Sequence, residues 1–229
     1  MNCWNCENAL DSPLLCGRCG VPQPVEFLGS FEALGLPPRL TLNADELDQG
    51  YERLARACHP DLFRAHMDER VLTASRVAMR TLNDAHRTLS GPIDRLRYVL
   101  ATCGRSTEST RTVPEALQTS AQIIGRVLAT VEKARAQGDQ EAWEAEQDHL
   151  ASIQVQVEKA DQRSNSTMMT LFMEWDDAVG SAGNDWPEMS EGWYEQALRW
   201  MGEREYLESL IRRVAQGRQA PSGAPVGDK

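Results

Sequence analysis

The sequence predicts an all-α fold with a helical hairpin followed by a three-helix bundle, preceded by a small zinc-knuckle module. Apolar residues recur at three- and four-residue steps before and after a polar stretch near the middle of the chain, and four cysteines lie in two close pairs near residue 1. These patterns predict a metal module at 1–26, the hairpin domain at 27–103, a linker at 104–112, the bundle at 113–216 and a disordered tail at 217–229.

The first long helix of the hairpin is predicted from Asn43 to Cys58. Its apolar face is formed by Leu47, Tyr51, Leu54 and Ala55. Asn43 is a favourable N-cap, Glu46 adds the reach-back half of a capping box, and Asp45 suits the positive end of the helix dipole.

The helix must end near Cys58 because the next residues are His59, Pro60 and Asp61. Proline lacks a backbone donor and disfavours the α conformation of the residue before it. The sequence therefore predicts a loop tip that presents the carboxylate of Asp61.

A second amphipathic helix is predicted from Asp68 to Leu89, and it can lie antiparallel against the first. Its apolar or small residues at helical spacing are Val71, Leu72, Ser75, Met79, Leu82, Ala85, His86 and Leu89. Taken alone, the tripeptide is equally compatible with any helical hairpin that has a proline in its turn.

Residues around the hairpin resemble those of J-domains. Phe31–Gly35 is similar to the first short J-domain helix, Phe63 matches an aromatic beneath the loop, and residues 82–85 resemble a run late in the third helix. The break at residues 89–92 and the run at 95–100 resemble one branch in particular. That branch is the HscB family, the J-type co-chaperones of iron–sulfur cluster assembly.

The resemblance implies a non-enzymatic co-chaperone whose His59-Pro60-Asp61 loop stimulates ATP hydrolysis by a DnaK- or HscA-class chaperone. Arg53 and Arg56 would steer docking to an acidic chaperone surface. Asp61 would accept charge-assisted hydrogen bonds from the chaperone, and His59 would orient the loop. Leu62 departs from the family, which usually has lysine there.

Two Cys-x-x-Cys pairs near the amino terminus predict one structural zinc site. Its four thiolate ligands would be Cys3, Cys6, Cys16 and Cys19. Two disulfides or a redox pair are the alternatives, and the unpaired Cys58 and Cys103 argue against an oxidising compartment. A rubredoxin-type iron site has the same ligands. The arrangement also resembles the metal-binding extension of some HscB proteins.

The region after the hydroxyl-rich linker predicts three helices and a bundle. The first follows Pro114, the second is a long helix capped by Asp139 that ends near Gly180, and the third begins near Ser190. In the HscB family the first of these helices carries an apolar and acidic patch that binds the iron–sulfur scaffold protein. Residues 118–123 are less apolar here and lack the acids, so no client-binding residue is assigned.

Composition excludes several function classes. With 34 acidic and 24 basic residues the formal net charge is −10, which disfavours a general nucleic-acid binder. No apolar run approaches the length of a membrane span and no leader is evident, so a cytoplasmic protein is expected. One alternative is a general J-domain adaptor for other clients, and another is a metal-anchored adaptor that uses a J-like fold for protein binding without stimulating a chaperone. A more distant rival is an enzyme using Cys58 with His59 as its base.

Overall fold

The computed structural model describes residues 1–25, 28–66, 68–183 and 185–221, and the regular structure of these residues is helical. The predicted tail at 217–229 lies mostly outside this part of the chain. The α-helices are α1 Ser30–Ala33, α2 Ala44–Cys58, α3 Glu69–Ser90, α4 Pro92–Thr102, α5 Ala121–Gln137, α6 Gln140–Ala145, α7 Gln147–Ser181 and α8 Glu191–Gly217, with short 3-10 helices at Pro60–Phe63 and Glu115–Leu117. The predicted all-α class is confirmed.

The chain forms two compact units. The first unit comprises residues 1–107 and 172–189, and the second comprises residues 108–171 and the chain from residue 190 onward. The carboxyl-terminal end of α7 therefore belongs with the hairpin, whereas the rest of α7 belongs with the bundle.

The hairpin of the first unit consists of α2 and α3, and its start is set by local capping. The side chain of Asn43 accepts hydrogen bonds from the backbone N–H groups of Asp45 and Glu46, as the sequence predicts. Asp68 caps α3 in the same way. The core of this unit includes Phe31, Leu40, Leu47, Val71, Ala74, Ala78, Leu82, Leu89, Leu96, Leu100, Phe172 and Trp175.

The end of α7 is held in the first unit by polar contacts as well as by burial. The indole N–H of Trp175 donates to the carbonyl of Pro38 at 2.8 Å, and the carboxylate of Asp176 accepts from the N–H of Leu40 at 2.6 Å. Arg95 is 7 % exposed; it donates to the carbonyl of Leu89, and its guanidinium lies over the ring of Phe172. These contacts join segments that are far apart in sequence.

The second unit has one apolar core formed by α5, α7, α8 and the short helix before α5. Its members are Leu117, Ile124, Leu128, Val131, Leu150, Ile153, Val157, Ala160, Leu207, Leu210 and Val214. This is the predicted carboxyl-terminal bundle. In the same unit, Trp193 and Trp200 are buried and Trp143 is half-buried.

One helix prediction was wrong in detail. The long helix capped by Asp139 is interrupted at Glu146, which separates α6 from α7. The carbonyl of Trp143 accepts hydrogen bonds from the backbone N–H of Glu146, three residues later, and from the side chain of Gln147. The three-residue spacing is that of a 3-10 turn, which is tighter than an α-helical turn. This local arrangement is not visible in the apolar periodicity.

Candidate functional site

The His-Pro-Asp segment forms an exposed corner between α2 and α3. His59 ends α2 in an extended conformation (φ −62°, ψ 130°), and Pro60 starts a separate 3-10 helix. The side chains of His59 and Asp61 are both exposed. The Nδ1 atom of His59 accepts a hydrogen bond from the backbone N–H of Asp61 at 3.2 Å, which fixes the turn. The predicted break in the helix therefore exists and faces solvent.

The carboxylate of Asp61 pairs with a residue that sequence reasoning did not select. Arg64 Nη2 lies 2.7 Å from Asp61 Oδ1, three residues along the short helix. The sequence did offer a signal for this pair, because an acidic and a basic residue three positions apart lie on the same helical turn. Any group that binds the carboxylate of Asp61 has to replace this exposed, weakly held partner.

An open groove of about 650 Å³ lies beside the loop on α2 and α3. It is lined by Tyr51, Glu52, Ala55, Arg56, His59, Leu62 and Met79. Leu62 is 65 % exposed, so an apolar side chain projects into solvent beside the loop. Arg53 is exposed, and Arg56 is exposed but paired with Glu52 at 2.7 Å.

The two helices that carry the loop are fixed to each other by polar bonds. The hydroxyl of Ser75 donates to the carbonyl of Cys58 at 2.6 Å, which pins the end of α2 to α3. Further along the hairpin, the Tyr51 hydroxyl donates to Asn83 at 2.7 Å, and the Tyr51 ring stacks on His86. The loop therefore has a rigid base.

The thiol of Cys58 is not suited to nucleophilic chemistry. Its side chain is fully buried, and burial raises the pKa of Cys58 to about 11. Reactive cysteines need a lowered pKa and partial exposure. The ring of His59 is bound to a backbone N–H instead of the neighbouring sulfur, so the pair does not form a catalytic dyad.

The four amino-terminal cysteines come together as a single cluster. The sulfur atoms of Cys3, Cys6, Cys16 and Cys19 all lie within 4.8 Å of one another, and all four thiols are free. The Cys3–Cys19 and Cys6–Cys16 sulfur pairs are each separated by 3.7 Å. A tetrahedral zinc with sulfur ligands at about 2.3 Å spaces its sulfurs about 3.8 Å apart. The cluster therefore has the size that a four-thiolate metal site needs.

The two halves of the cluster repeat one backbone pattern thirteen residues apart, a repeat that sequence analysis missed. Isolated bridges join residues 2 and 9 and residues 15 and 22. In each half the residue after the second cysteine, Glu7 or Gly20, has a positive φ and donates its N–H to the carbonyl of the first cysteine. Only the cysteines themselves carry the repeat in sequence.

Polar side chains surround the sulfur atoms. The side chains of Gln23 and Asn8 donate to the sulfurs of Cys3 and Cys6 at 3.4 and 3.3 Å. Burial opposes ionisation of Cys3, but hydrogen bonds from the backbone of Cys6 and Asn5 and from Gln23 outweigh it and lower the pKa of Cys3 to about 6. Donors to sulfur favour thiolate ligands and orient them around a metal.

The metal module contacts the hairpin within the first unit. The guanidinium of Arg70, at the start of α3, lies 5.2 Å from the ring centroid of Trp4, and the Thr81 hydroxyl donates to the carbonyl of Val25. Trp4 stands between the cysteines of the first pair. The module is therefore in contact with the helix that follows the His-Pro-Asp loop.

Three known co-chaperones are similar to this chain in sequence. The HscB homologue of Shewanella amazonensis is 41% identical over 75 residues, which is 32% of this chain and 42% of the relative. The homologue of Vibrio vulnificus is 28% identical over 142 residues (58% and 82%), and that of Neisseria meningitidis is 36% identical over 78 residues (32% and 44%). The alignments thus span less than half of two relatives. No protein-family model matches the chain.

Two solved structures share its fold. The chaperone HscB from Vibrio cholerae aligns with a TM-score of 0.53 at 20% identity, over 82% of this chain and 96% of the other. The human co-chaperone protein HscB aligns with a TM-score of 0.52 at 16% identity, over 94% and 98%. None of the helices in the described part of the chain is long and apolar enough to cross a membrane. The resemblance expected from the sequence is confirmed: this chain is similar in sequence to co-chaperones named HscB and shares the fold of solved HscB structures, and its four-cysteine cluster fits a metal-binding extension.

Proposed function

We propose that this chain is a co-chaperone that stimulates ATP hydrolysis by a DnaK- or HscA-class chaperone and is not itself an enzyme. The exposed His59-Pro60-Asp61 corner on a rigid helical hairpin carries this proposal. In the bound state, Asp61 exchanges Arg64 for donors on the chaperone, and His59 keeps the turn in shape.

Single-turnover ATP hydrolysis by the cognate chaperone tests the loop, with wild type compared to Asp61→Asn. We expect the variant to lose stimulation. Asp84→Asn is a matched control, because Asp84 is also about half exposed and also pairs at 2.7 Å with an arginine three residues later. Equal stimulation by wild type and Asp61→Asn would defeat the proposal.

Two exposed arginines on α2 support an electrostatic contribution to docking. Arg53 and Arg56 are both exposed on this helix. Exposed cations raise the rate of association with an acidic surface, and salt screens the effect. We expect Arg53→Glu to slow association with the chaperone at low ionic strength and to approach the wild-type rate as salt is added. If Arg53→Glu associates equally slowly at high salt, Arg53 instead contacts the chaperone directly.

The client that we propose is the iron–sulfur scaffold protein. The names of the sequence relatives and the shared fold support this assignment. On α5, Ile123 is 54 % exposed, so an apolar contact is available where the family has its client patch. Affinity purification from the native host tests the assignment. We expect both a scaffold protein and a DnaK-class chaperone; recovery of the chaperone with other clients alone would identify a general J-protein.

For the cysteine cluster we propose one structural zinc ion held by Cys3, Cys6, Cys16 and Cys19. Sulfur spacing near that of a tetrahedral site supports it. Metal analysis of protein purified without added metal should give about one zinc per chain. Cys16→Ser should lose the ion, whereas Cys103→Ser, a control outside the cluster, should keep it. Retention of the metal by Cys16→Ser contradicts a four-thiolate site, and iron in place of zinc would indicate a rubredoxin-type centre.

We place the protein in the cytoplasm. All six cysteines are free thiols in the structure, and free thiols persist in reducing compartments. Fractionation of the native host, with the protein detected by antibody, tests this location.

A further inference from the structure

The second unit contains a cavity of about 510 Å³ between the short helix before α5 and the helices α7 and α8. It is lined by Pro114, Glu115, Ala116, Ala160, Arg163, Ser164, Thr167 and Glu203. A volume of this size is within the range of ligand-binding cavities.

Ser164, on the α7 wall of the cavity, has a buried hydroxyl without a partner. The residue is 6 % exposed, and its Oγ forms no hydrogen bond with any described residue. Three other hydroxyls of α7, on Ser166, Thr167 and Thr170, each donate to the carbonyl four residues earlier. The carbonyl of Ser164 is occupied by the indole N–H of Trp200, but the hydroxyl is not used. Buried polar groups are normally satisfied, so this one is available to a ligand in the cavity.

Two carboxylates face the same space. Glu115 is exposed at one edge, and Glu203 is partly buried on α8. Burial raises the pKa of Glu203; Arg199 acts against this shift, and the charge of Glu115 adds to it. Neither carboxylate forms an ion pair with another described residue. A cation between them would relieve their repulsion.

We propose that this cavity binds an arginine side chain of a partner polypeptide. The guanidinium lies between Glu115 and Glu203 and donates one N–H to the Oγ of Ser164. Its planar group carries five donors, so it can serve three acceptors at once. The small side chains of Ala116 and Ala160 leave room for its aliphatic stem. Arg163, which also lines the cavity, is exposed and can turn to solvent.

The inference goes beyond the proposed function, because no residue of α5, where the client contact is proposed, lines the cavity, and because binding there does not require stimulation of a chaperone. A partner segment that carries an arginine would be held here whichever chaperone is engaged.

The test uses the full, isotope-labelled chain and the peptide acetyl-Gly-Gly-Arg-Gly-Gly-amide. The indole N–H of Trp200 and the backbone N–H of Ser164 report on the cavity in two-dimensional NMR spectra. Both signals should shift with the arginine peptide and not with a peptide in which citrulline, its uncharged isostere, replaces arginine. Glu203→Gln should weaken binding roughly tenfold or more, since it removes a charge-assisted hydrogen bond.

Glu195→Gln is the matched control, because Glu195 is also on α8 but is exposed and does not line the cavity. It should bind the arginine peptide as wild type does, and signals distant from the cavity should confirm that both variants are folded. Absence of shifts, equal shifts with citrulline, or equal loss of affinity in both variants would overturn the proposal. Equal affinity for a lysine peptide would overturn the preference for arginine.

Discussion

The carboxylate of Asp176 connects the end of α7 to the loop before α2 by hydrogen bonds. The substitution Asp176→Asn measures how much these bonds stabilise the first unit. The carboxylate accepts from the backbone N–H groups of Leu40 and Thr41 at 2.6 and 3.0 Å and from the Thr41 hydroxyl. It also stabilises the charge of the buried Arg95, since burial lowers the pKa of Arg95 and Asp176 opposes this. Asparagine has nearly the same shape but only one accepting oxygen.

The magnitude follows from the bonds that asparagine cannot accept. Hydrogen bonds to a charged group contribute about 1.5–3 kcal/mol each, and the amide loses the charge and at least one of the three bonds. We expect the first unit to be destabilised by about 2–4 kcal/mol, after allowing for partial solvent screening. That corresponds to hydrogen exchange at the Leu40 amide that is faster by roughly thirtyfold or more.

Native-state hydrogen exchange at the amides of Leu40 and Thr41 is the assay, because it reports on the first unit without assuming that both units unfold together. Asp177→Asn is the control: Asp177 is the exposed neighbour on the same turn, and a surface change of this kind stays within about 0.5 kcal/mol. If Asp176→Asn exchanges as slowly as the control variant, the reasoning is wrong and α7 is not needed to hold this loop.

Two further predictions concern packing and reactivity. A Cβ on Gly202 would overlap the carbonyl oxygen of Thr110, so Gly202→Ala should lower the free energy of unfolding by about 1–2 kcal/mol in denaturant titration, despite the better helix propensity of alanine. Gly125→Ala, at a helix position with open space around it, should instead stabilise by about 0.5–1 kcal/mol, and a gain in both variants would refute the contact. Because Cys58 is fully buried and burial raises its pKa to about 11, its alkylation by iodoacetamide at pH 8 should be at least roughly two hundredfold slower than that of a free thiol. A rate at pH 8 equal to that of a free cysteine would contradict the burial.

Features set by neighbouring residues were predictable. The Asn43 cap, the end of α2 at Cys58 and the apolar faces of the hairpin follow from short-range rules, and the structure has each of them. The cysteine spacing also predicted the cluster, because two Cys-x-x-Cys pairs supply the four thiolate ligands of one tetrahedral site.

Interruptions and pairings within otherwise regular helices were harder to predict. The break at Glu146 depends on competition for a single carbonyl, and the pairing of Arg64 with Asp61 depends on how the short helix turns. The equivalence of Glu7 and Gly20 in the two knuckles involves different residue types, so only their shared positive φ reveals it.

The sequence by itself determined the helices, the proline-fixed corner at residues 59–61 and the four-cysteine cluster, because capping, periodicity and ligand spacing act over a few residues. Tertiary structure alone decided that Asp176 completes the first unit, since its partners lie more than 130 positions earlier in the chain. It also decided that Ser164, Glu115 and Glu203 face one cavity. Such groups meet only after helices from distant parts of the chain have packed, and no local pattern records which side chains will then be left without partners.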